Sequence, residues 1–367
     1  MSSVLVEECL DGLSSTVMLN WDYKDSRCRQ YLDQLISDES LSEFASGLSV
    51  DPVELESQAK PRLAELLNAI VSHGGCPVDR FCVSGSVGHQ TDSDKFGFDI
   101  TVFVDCDVSH RNEGIAACCA HSDERIYSAI RPLMKSDPVK DQNVLHFCLG
   151  AFMIHLAVTP SFGHKMHLQR KHVWDLLEAR DKEGAMTSME LKNYSLALHE
   201  SLASFMHMGD PLFHGLVRLA RLWREHMCQS SISALVATLL MMRCIEDEKA
   251  RGMTSPRSGS PSASSAHFPT HHVFVAFLTC LTNIDTIRMS WQRFYEPDLV
   301  PERHVASTGA CLLDPVNPYR NLLADLTPDQ IETVKGTATK SLEQLKHADQ
   351  CTVYQLCMGT TTGARGG

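Results

Sequence analysis

The sequence of 367 residues lacks three features that would assign it to well-defined classes of protein. It has no apolar run long and unbroken enough to cross a bilayer. Its N-terminus, MSSVLVEECLDGLSS, is acidic where a secretory signal would be basic and apolar. Excess positive charge is also missing, and a net charge of −12 disfavours a broadly basic nucleic-acid binder. We therefore expect an intracellular protein without a membrane partner, cytoplasmic with a nuclear location left open.

Cysteine, by contrast, is abundant, with 14 residues scattered along the chain. A chain of this length can bury a sizeable core without disulfides, so we expect reduced thiols. Five residues that could bind zinc lie close together in the sequence: Cys106, His110, Cys118, Cys119 and His121. The last three fall on one predicted helix, where neighbouring side chains point in different directions. Partly buried, reduced thiols are therefore the prediction for this cluster as well.

The hydrophobic pattern predicts an α+β fold. The strand candidates are RFCVSG, FDITVFVD, VLHFCLG and AFMIHLAVTP, with a predicted helix between the second and the third. Helical segments dominate after residue 165. We predict an N-terminal extension over 1–40, a mixed α/β domain over 41–165, a helical domain over 166–345 and a flexible tail over 346–367. The Ser/Pro/Gly-rich segment 251–269 is predicted to be a disordered loop within the helical domain.

The stretch SGSVGHQTDSDKFGFDITVFV (84–104) carries the first sign of chemistry. Gly85 and Ser86 directly follow an apolar strand. A glycine at such a bend lets backbone N–H groups approach a phosphate, and a serine hydroxyl adds a donor. Gly-Ser after a strand is more often only a turn, but Thr91 and the strand at Asp99 follow at spacings that fit a nucleotide-binding loop.

Together with four further segments, this stretch resembles the 2′-5′-oligoadenylate synthase family, relatives of cyclic GMP–AMP synthase. The four are LSEFASGL, AFMIHLAVTPSF, GLVRLARLWREH and CLLDPVNPYRN, with WQRFY upstream of the last. The resemblance covers roughly residues 41–345. It implies a two-lobed polymerase-β-like nucleotidyltransferase domain, a mixed sheet with helices, followed by a helical C-terminal domain. It also implies a nucleoside triphosphate as ligand, Mg²⁺ as cofactor and a role in innate antiviral sensing.

The same resemblance indicates that the catalytic site is degraded. Family members hold two Mg²⁺ ions with three Asp side chains. Asp99 matches the second Asp, whereas the first falls on Gly97 and the third on Ala157. Mg²⁺ requires oxygen ligands in near-octahedral geometry, and neither residue supplies a side-chain oxygen. We therefore expect a pseudoenzyme that acts by binding nucleotide, RNA or protein, with Mg²⁺ held weakly or not at all.

Two alternatives stay open at this stage. Asp92 and Asp94 form a true Asp-x-Asp, and a rearranged loop would let one of them join Asp99 in an active enzyme. Such an enzyme would make 2′-5′-linked oligonucleotides or a cyclic dinucleotide. His155 shares a strand face with Ala157, but imidazole suits Zn²⁺ better than Mg²⁺. The other alternative is a structural nucleotidyltransferase-like domain that serves for dimerisation.

Three other positions have both a functional and a structural interpretation. Arg221 falls where the family has a basic residue that helps bind the triphosphate, and otherwise it is a solvated helix charge. Arg170 and Lys171, in the basic run HKMHLQRKH, are candidates for binding double-stranded RNA, and otherwise belong to a solvated face. Asp314, before Pro315, is predicted to shape a turn.

Overall fold

The structure, a computed structural model, describes residues 2–11, 29–48, 55–73, 75–85, 97–105, 115–134, 137–141, 143–150, 152–184, 186–206, 211–228, 231–254, 269–291, 294–295, 299–306 and 308–359. Within these ranges the strands are β1 (Val78–Gly85), β2 (Gly97–Asp105), β3 (Val139–Asp141), β4 (Val144–Leu149), β5 (Phe152–Ser161), β6 (Arg288–Met289) and β7 (Cys311–Leu312).

Helices and strands are interspersed in the first half of the chain, and helices dominate the second half. In chain order they are α1 (Ser2–Asp11), α2 (Arg29–Leu32), α3 (Asp38–Gly47), α4 (Lys60–His73), α5 (Ile115–Ile130), α6 (Met166–Glu183), α7 (Ser188–Ala197), α8 (His199–Met206), α9 (Pro211–Met227), α10 (Ala234–Thr254), α11 (Thr270–Thr282), α12 (Glu302–Ala306), α13 (Pro328–Lys346) and α14 (Val353–Met358). A π-helical turn, Leu55–Ala59, precedes α4, and a 3-10 turn, Arg131–Leu133, follows α5.

Five strands form one mixed sheet in the order β1-β2-β5-β4-β3. The central pair, β2 and β5, is parallel, and the other neighbours are antiparallel. β2 is buried over eight of its nine residues. Because side chains alternate along a strand, β2 presents one set of residues to each face of the sheet.

One face of this sheet is apolar and forms a large core. Alternate residues of β2 and β5, among them Ile100 and Leu156, pack there against helices α1, α4 and α5. The helix α4 contributes Leu63, Leu66, Leu67 and Ile70, spaced as one side of an α-helix requires. The opposite face of the sheet carries polar residues and holds the candidate site.

The chain divides into two compact units. The first comprises residues 1–21, 50–208 and 288–325 and contains the five-stranded sheet. The second comprises residues 22–49, 209–287 and 326–367 and is helical. Its core includes Trp223, whose indole N–H donates to Ser341 Oγ at 3.0 Å. The α+β fold class predicted from the sequence, with a mixed sheet and a helical part, is confirmed.

The predicted N-terminal extension and the predicted tail each contain a described helix with buried residues. In the N-terminal 1–40, α1 buries Val6 and Leu10 in the core of the sheet unit. In the predicted tail 346–367, α14 buries Val353 and Leu356. The predicted boundaries after residues 40, 165 and 345 stay predictions, since the two units are not contiguous in sequence. Most of the predicted disordered loop, 251–269, lies outside the described residues.

Among the described residues, none of the helices combines the length and the apolarity that crossing a bilayer requires.

Candidate functional site

Asp99 lies in the middle of the polar face of the sheet. It is the third residue of β2 and its register partners are Ser84 of β1 and His155 of β5. All three residues are buried, and Asp99 is only 2% exposed. Two residues further along β2, Thr101 points to the same face and is 1% exposed. The carboxylate on which the sequence analysis depends is therefore enclosed by protein.

His199, the first residue of α8, bridges β1 and β2 beside this position. Its Nε2 lies 2.9 Å from Ser84 Oγ, and its Nδ1 lies 2.6 Å from Thr101 Oγ1. A neutral imidazole has one nitrogen that donates and one that accepts, while each hydroxyl can do either. Both ring nitrogens of His199 are thus engaged by buried hydroxyls on β1 and β2, next to Asp99.

The rest of α8 is anchored on the same face by an arginine. Arg80 of β1 donates from Nε and Nη2 to Glu200 Oε2 at 3.2 and 3.1 Å. The Arg80 guanidinium also lies over the Phe103 ring, 4.1 Å from its centroid. Ala203 packs against Cys82 and Phe103. Hydrogen bonds, an ion pair and apolar packing together hold α8 across β1 and β2.

A second polar cluster lies where β1 begins and β5 ends. Ser161 Oγ donates to Asp79 Oδ2 at 2.6 Å, and Arg80 donates to the same oxygen at 2.6 Å. His164 contacts the other carboxylate oxygen. Burial raises the pKa of Asp79, but hydrogen bonds from Ser161, His164 and Arg80 outweigh burial and leave that pKa below its usual value. The hydrogen bond to Asp79 raises the pKa of the exposed His164.

The second cluster has a structural role rather than a catalytic one. Asp79 lies between Ser161 and His164, so the histidine does not contact the serine hydroxyl as a general base would. Arg80 closes the cluster by donating to Gly163 O at 2.9 Å. The cluster therefore ties the chain after β5 to the start of β1.

His155 contacts a second histidine across the sheet. Its Nδ1 lies 2.9 Å from Nδ1 of His146 on β4, and the two rings meet edge to face. One of the two nitrogens must carry the shared proton and the other must accept it. Ala157, which the family resemblance aligns with the third Asp, faces Thr101 in the parallel register and is 2% exposed.

These residues do not fit a magnesium pair. Among the described positions of the face, Asp99 is the one carboxylate beside the bridge, Gly97 offers no side chain and Ala157 offers a methyl group. Mg²⁺ requires several oxygen ligands and retains water, whereas this position is buried and its hydroxyls bind His199. No group of three metal-ligating side chains that could hold an ion occurs in the described part of the chain.

The predicted nucleotide loop is described only at its two ends. β1 ends at Gly85 and β2 begins at Gly97, which is buried. The other predicted loop residues lie outside the described residues: Ser86, Thr91, Asp92 and Asp94. The side chains of the proposed Cys/His cluster between 106 and 121 lie outside them as well.

Arg221 lies on α9 in the helical unit and is buried, 6% exposed. The interpretation as a solvated helix charge is therefore wrong. Arg218 and Arg224, three residues before and after it, are buried too. Arg224 donates from Nε to Ile232 O at 2.7 Å, and burial lowers the pKa of Arg218 to about 10. Three guanidinium groups thus lie along one helix in a desolvated setting.

The candidate RNA-binding residues Arg170 and Lys171 lie on α6. Lys171 is exposed. The Arg170 guanidinium lies 5.1 Å from the centroid of the Trp174 ring, which is a cation–π arrangement. Nearby, the His172 ring stacks on Phe162. Two basic or histidine side chains of this helix thus each contact an aromatic ring.

Asp314 shapes a turn, as predicted. Its Oδ1 accepts from the backbone N–H groups of Val316 and Asn317, and its Oδ2 accepts from Ser195 Oγ at 2.9 Å. Burial raises the pKa of Asp314, an effect that Arg320 at 3.6 Å opposes. The residue is fully buried and serves the fold of the sheet unit.

The sequence analysis missed the residue that completes this site. His199 stands in LALHESLASF, which carries no motif and gives no local reason to single it out. Ser84 and Thr101 could have been found, because the period of two places Thr101 on the same face as Asp99. His199 is separated from them by 115 and 98 residues.

No protein-family model matches the sequence, and no curated protein matches it either. Among solved structures, the chain is similar to E. coli MS115-1 CdnC with ATP, at 12% identity and a TM-score of 0.49, covering 94% of this chain and 100% of that one. It is also similar to Cid1, described as an RNA terminal uridylyl transferase, at 10% identity and a TM-score of 0.49, with 89% and 100% covered. A cytoplasmic RNA terminal U-transferase follows at 10% identity and a TM-score of 0.44, with 92% and 97% covered. Similarity at this level assigns no role to any residue of this chain.

Proposed function

We propose that this chain is an oligoadenylate-synthase-like nucleotidyltransferase-fold protein that is catalytically impaired and acts by binding a nucleoside triphosphate. The observation that carries the proposal is the buried bridge from His199 to Ser84 and Thr101, beside Asp99. Catalytic nucleotidyl transfer by two metal ions needs several converging oxygen ligands that remain open to substrate. Here the same face is occupied by a histidine of the chain itself.

Binding of a nucleotide does not need the missing carboxylates. Gly85, the last residue of β1, is also the first residue of the predicted phosphate-loop motif. In the proposal, backbone N–H groups after Gly85, with the hydroxyls of Ser86 and Thr91, contact the phosphates.

The test combines binding and turnover on the full chain. ATP binding is measured by calorimetry with Mg²⁺ and with EDTA, and pyrophosphate release is followed with ATP and GTP, Mg²⁺ or Mn²⁺, with and without double-stranded RNA. We expect ATP to bind with the same affinity in EDTA, and no pyrophosphate above the rate without protein. Ser86→Ala should weaken ATP binding about fivefold, as loss of one hydroxyl hydrogen bond does. Asp175→Asn, an exposed change on α6, is the matched control.

Other outcomes would replace the proposal with a specific alternative. Pyrophosphate release that disappears in Asp99→Asn would identify an active enzyme in which Asp92 or Asp94 completes the metal site. A stable dimer that binds no ATP would identify the dimerisation domain. Double-stranded RNA binding that weakens in Lys171→Ala, with a shallower salt dependence, would add RNA as a ligand at Arg170 and Lys171.

A further inference from the structure

Two cysteines of the helical unit lie close enough to react with one another. Cys244 on α10 and Cys280 on α11 have their sulfur atoms 3.8 Å apart, although they are 36 residues apart in sequence. Cys244 is 4% exposed, whereas Cys280 is partly exposed. Both helices belong to the same compact unit and pack against each other. A buried thiol therefore lies beside a thiol that solvent reaches.

We propose that Cys244 and Cys280 form a redox modification site, in which a hydroperoxide converts the two thiols to an intramolecular disulfide. This inference is independent of the proposed nucleotide binding, since it uses neither the sheet nor Asp99. To form a disulfide, the two sulfur atoms must approach from 3.8 Å to bonding distance, about 2 Å, across two helices already in contact. Side-chain rotation supplies much of a movement of this size.

The arrangement assigns a different step to each sulfur. The hydrogen bond between the two thiols lowers the pKa of Cys280, outweighing the effect of burial. The same hydrogen bond, together with burial, raises the pKa of Cys244. Because the thiolate is the nucleophile, the accessible Cys280 reacts first with the oxidant and Cys244 acts as the resolving thiol.

The steps balance as a two-electron oxidation. The Cys280 thiolate attacks one oxygen of the hydroperoxide, the O–O bond breaks, and the other oxygen leaves as an alcohol, or as water from hydrogen peroxide. Cys280 then carries a sulfenic acid. The Cys244 sulfur attacks the Cys280 sulfur, the S–O bond breaks, and the hydroxyl leaves as water with the proton from Cys244. Two thiols have lost two electrons, and the peroxide has gained them.

Oxidation would stabilise the helical unit against unfolding. A link between residues 36 positions apart restricts the unfolded chain, and it joins two helices whose contact is already formed. Because α9, which carries Arg221, packs on both α10 and α11, the oxidised form should be held more rigidly around that helix. We expect the midpoint of thermal unfolding to rise by about 5 °C in the oxidised protein.

The experiment treats the full chain with hydrogen peroxide, then denatures it in N-ethylmaleimide and maps peptides by mass spectrometry. We expect a linked pair containing Cys244 and Cys280 that lacks two hydrogen atoms and vanishes on reduction with dithiothreitol. The pair should be lost in Cys244→Ser and in Cys280→Ser. In Cys244→Ser, Cys280 should accumulate as a sulfenic acid that dimedone traps.

Cys148→Ser is the matched control, because Cys148 is partly exposed like Cys280 but lies on β4 of the sheet unit. It should leave both the linked pair and the rise in melting temperature unchanged. Recovery of Cys244 and Cys280 as alkylated thiols from folded, peroxide-treated protein would overturn the proposal. So would a rise in melting temperature that persists in Cys244→Ser.

Discussion

The imidazole of His199 connects two strands of the sheet through buried hydrogen bonds. It reaches Ser84 and Thr101, two buried hydroxyls on adjacent strands, and does so from a helix that is distant in sequence. Burying a hydroxyl without a hydrogen bond costs free energy. By bonding both hydroxyls, His199 therefore stabilises the polar face of β1 and β2. The same ring occupies the side of the sheet on which Asp99 lies. In the proposed function, the same residue therefore contributes both to the stability of the sheet and to the loss of metal chemistry.

We predict that His199→Ala lowers the free energy of unfolding by about 2 kcal/mol, because both hydroxyls lose a hydrogen bond at once. The measurement is the midpoint of urea denaturation at constant m-value. A double-mutant cycle with Thr101→Val should show a coupling of about 1 kcal/mol. His167→Ala, at an exposed position on α6, should leave the midpoint unchanged. Equal midpoints for His199→Ala and the wild type would contradict the role given to the bridge.

Two helices of the second unit approach each other closely at a glycine, Gly215. α9 approaches α3 so closely that a Cβ added at Gly215 would lie 2.8 Å from the carbonyl oxygen of Ala45 and 3.1 Å from its carbonyl carbon. Backbone atoms cannot rotate away as a flexible side chain can. At this crossing the absence of a side chain sets the distance between the two helices.

Gly215→Ala is therefore predicted to destabilise the protein by about 2 kcal/mol, because the helices must separate to admit a methyl group. Gly336→Ala on α13 is the matched control: nothing lies within 4 Å of its added Cβ. That change should stabilise by about 0.5–1 kcal/mol, since alanine favours the helix over glycine. Thermal unfolding of both variants checks the pair. A stabilising effect at Gly215 would show that α3 and α9 do not pack as closely as the structure has them.

At the scale of the whole molecule, the sheet unit is assembled from segments that the helical unit interrupts. Residues 288–325 return to the unit formed by 50–208 after α9, α10 and α11 have intervened. Asp314 holds the segment 288–325 against the segment 50–208, since Ser195 of α7 donates to its carboxylate across 119 residues of sequence. The Trp174 indole N–H donates to Val316 O at 2.9 Å in the same turn.

Removal of this carboxylate should weaken the assembly of the unit. We predict that Asp314→Ala costs about 3 kcal/mol, because the partly buried Arg320 and the buried hydrogen-bond donors around Asp314 lose a partner. Asp314→Asn should cost less, since it keeps an acceptor for Val316 and Asn317. Asp325→Ala, which removes an exposed pair with Lys192, should cost under about 1 kcal/mol. Urea denaturation of the three variants makes the comparison, and an Asp314→Ala midpoint no lower than that of Asp325→Ala would refute it.

Local patterns were sufficient for the features that depend on neighbours in sequence. The period of two in FDITVFVD predicts a buried strand with Asp99 on one face, and the structure has that strand as β2. Asp314 before a proline predicts a turn, because its side chain reaches backbone N–H groups two and three residues on. The absence of carboxylates at Gly97 and Ala157 is likewise a property of the sequence alone.

Only the tertiary structure decided which residues from distant parts of the chain contact each other, including those beside Asp99. His199, the pairing of Cys244 with Cys280 and the contact at Gly215 each join positions far apart in the chain, so no local window contains both partners. The burial of Arg221 is decided in the same way, by the helices that cover α9. Sequence periodicity orients a side chain toward a face of its own element, and what lies against that face depends on how distant elements pack.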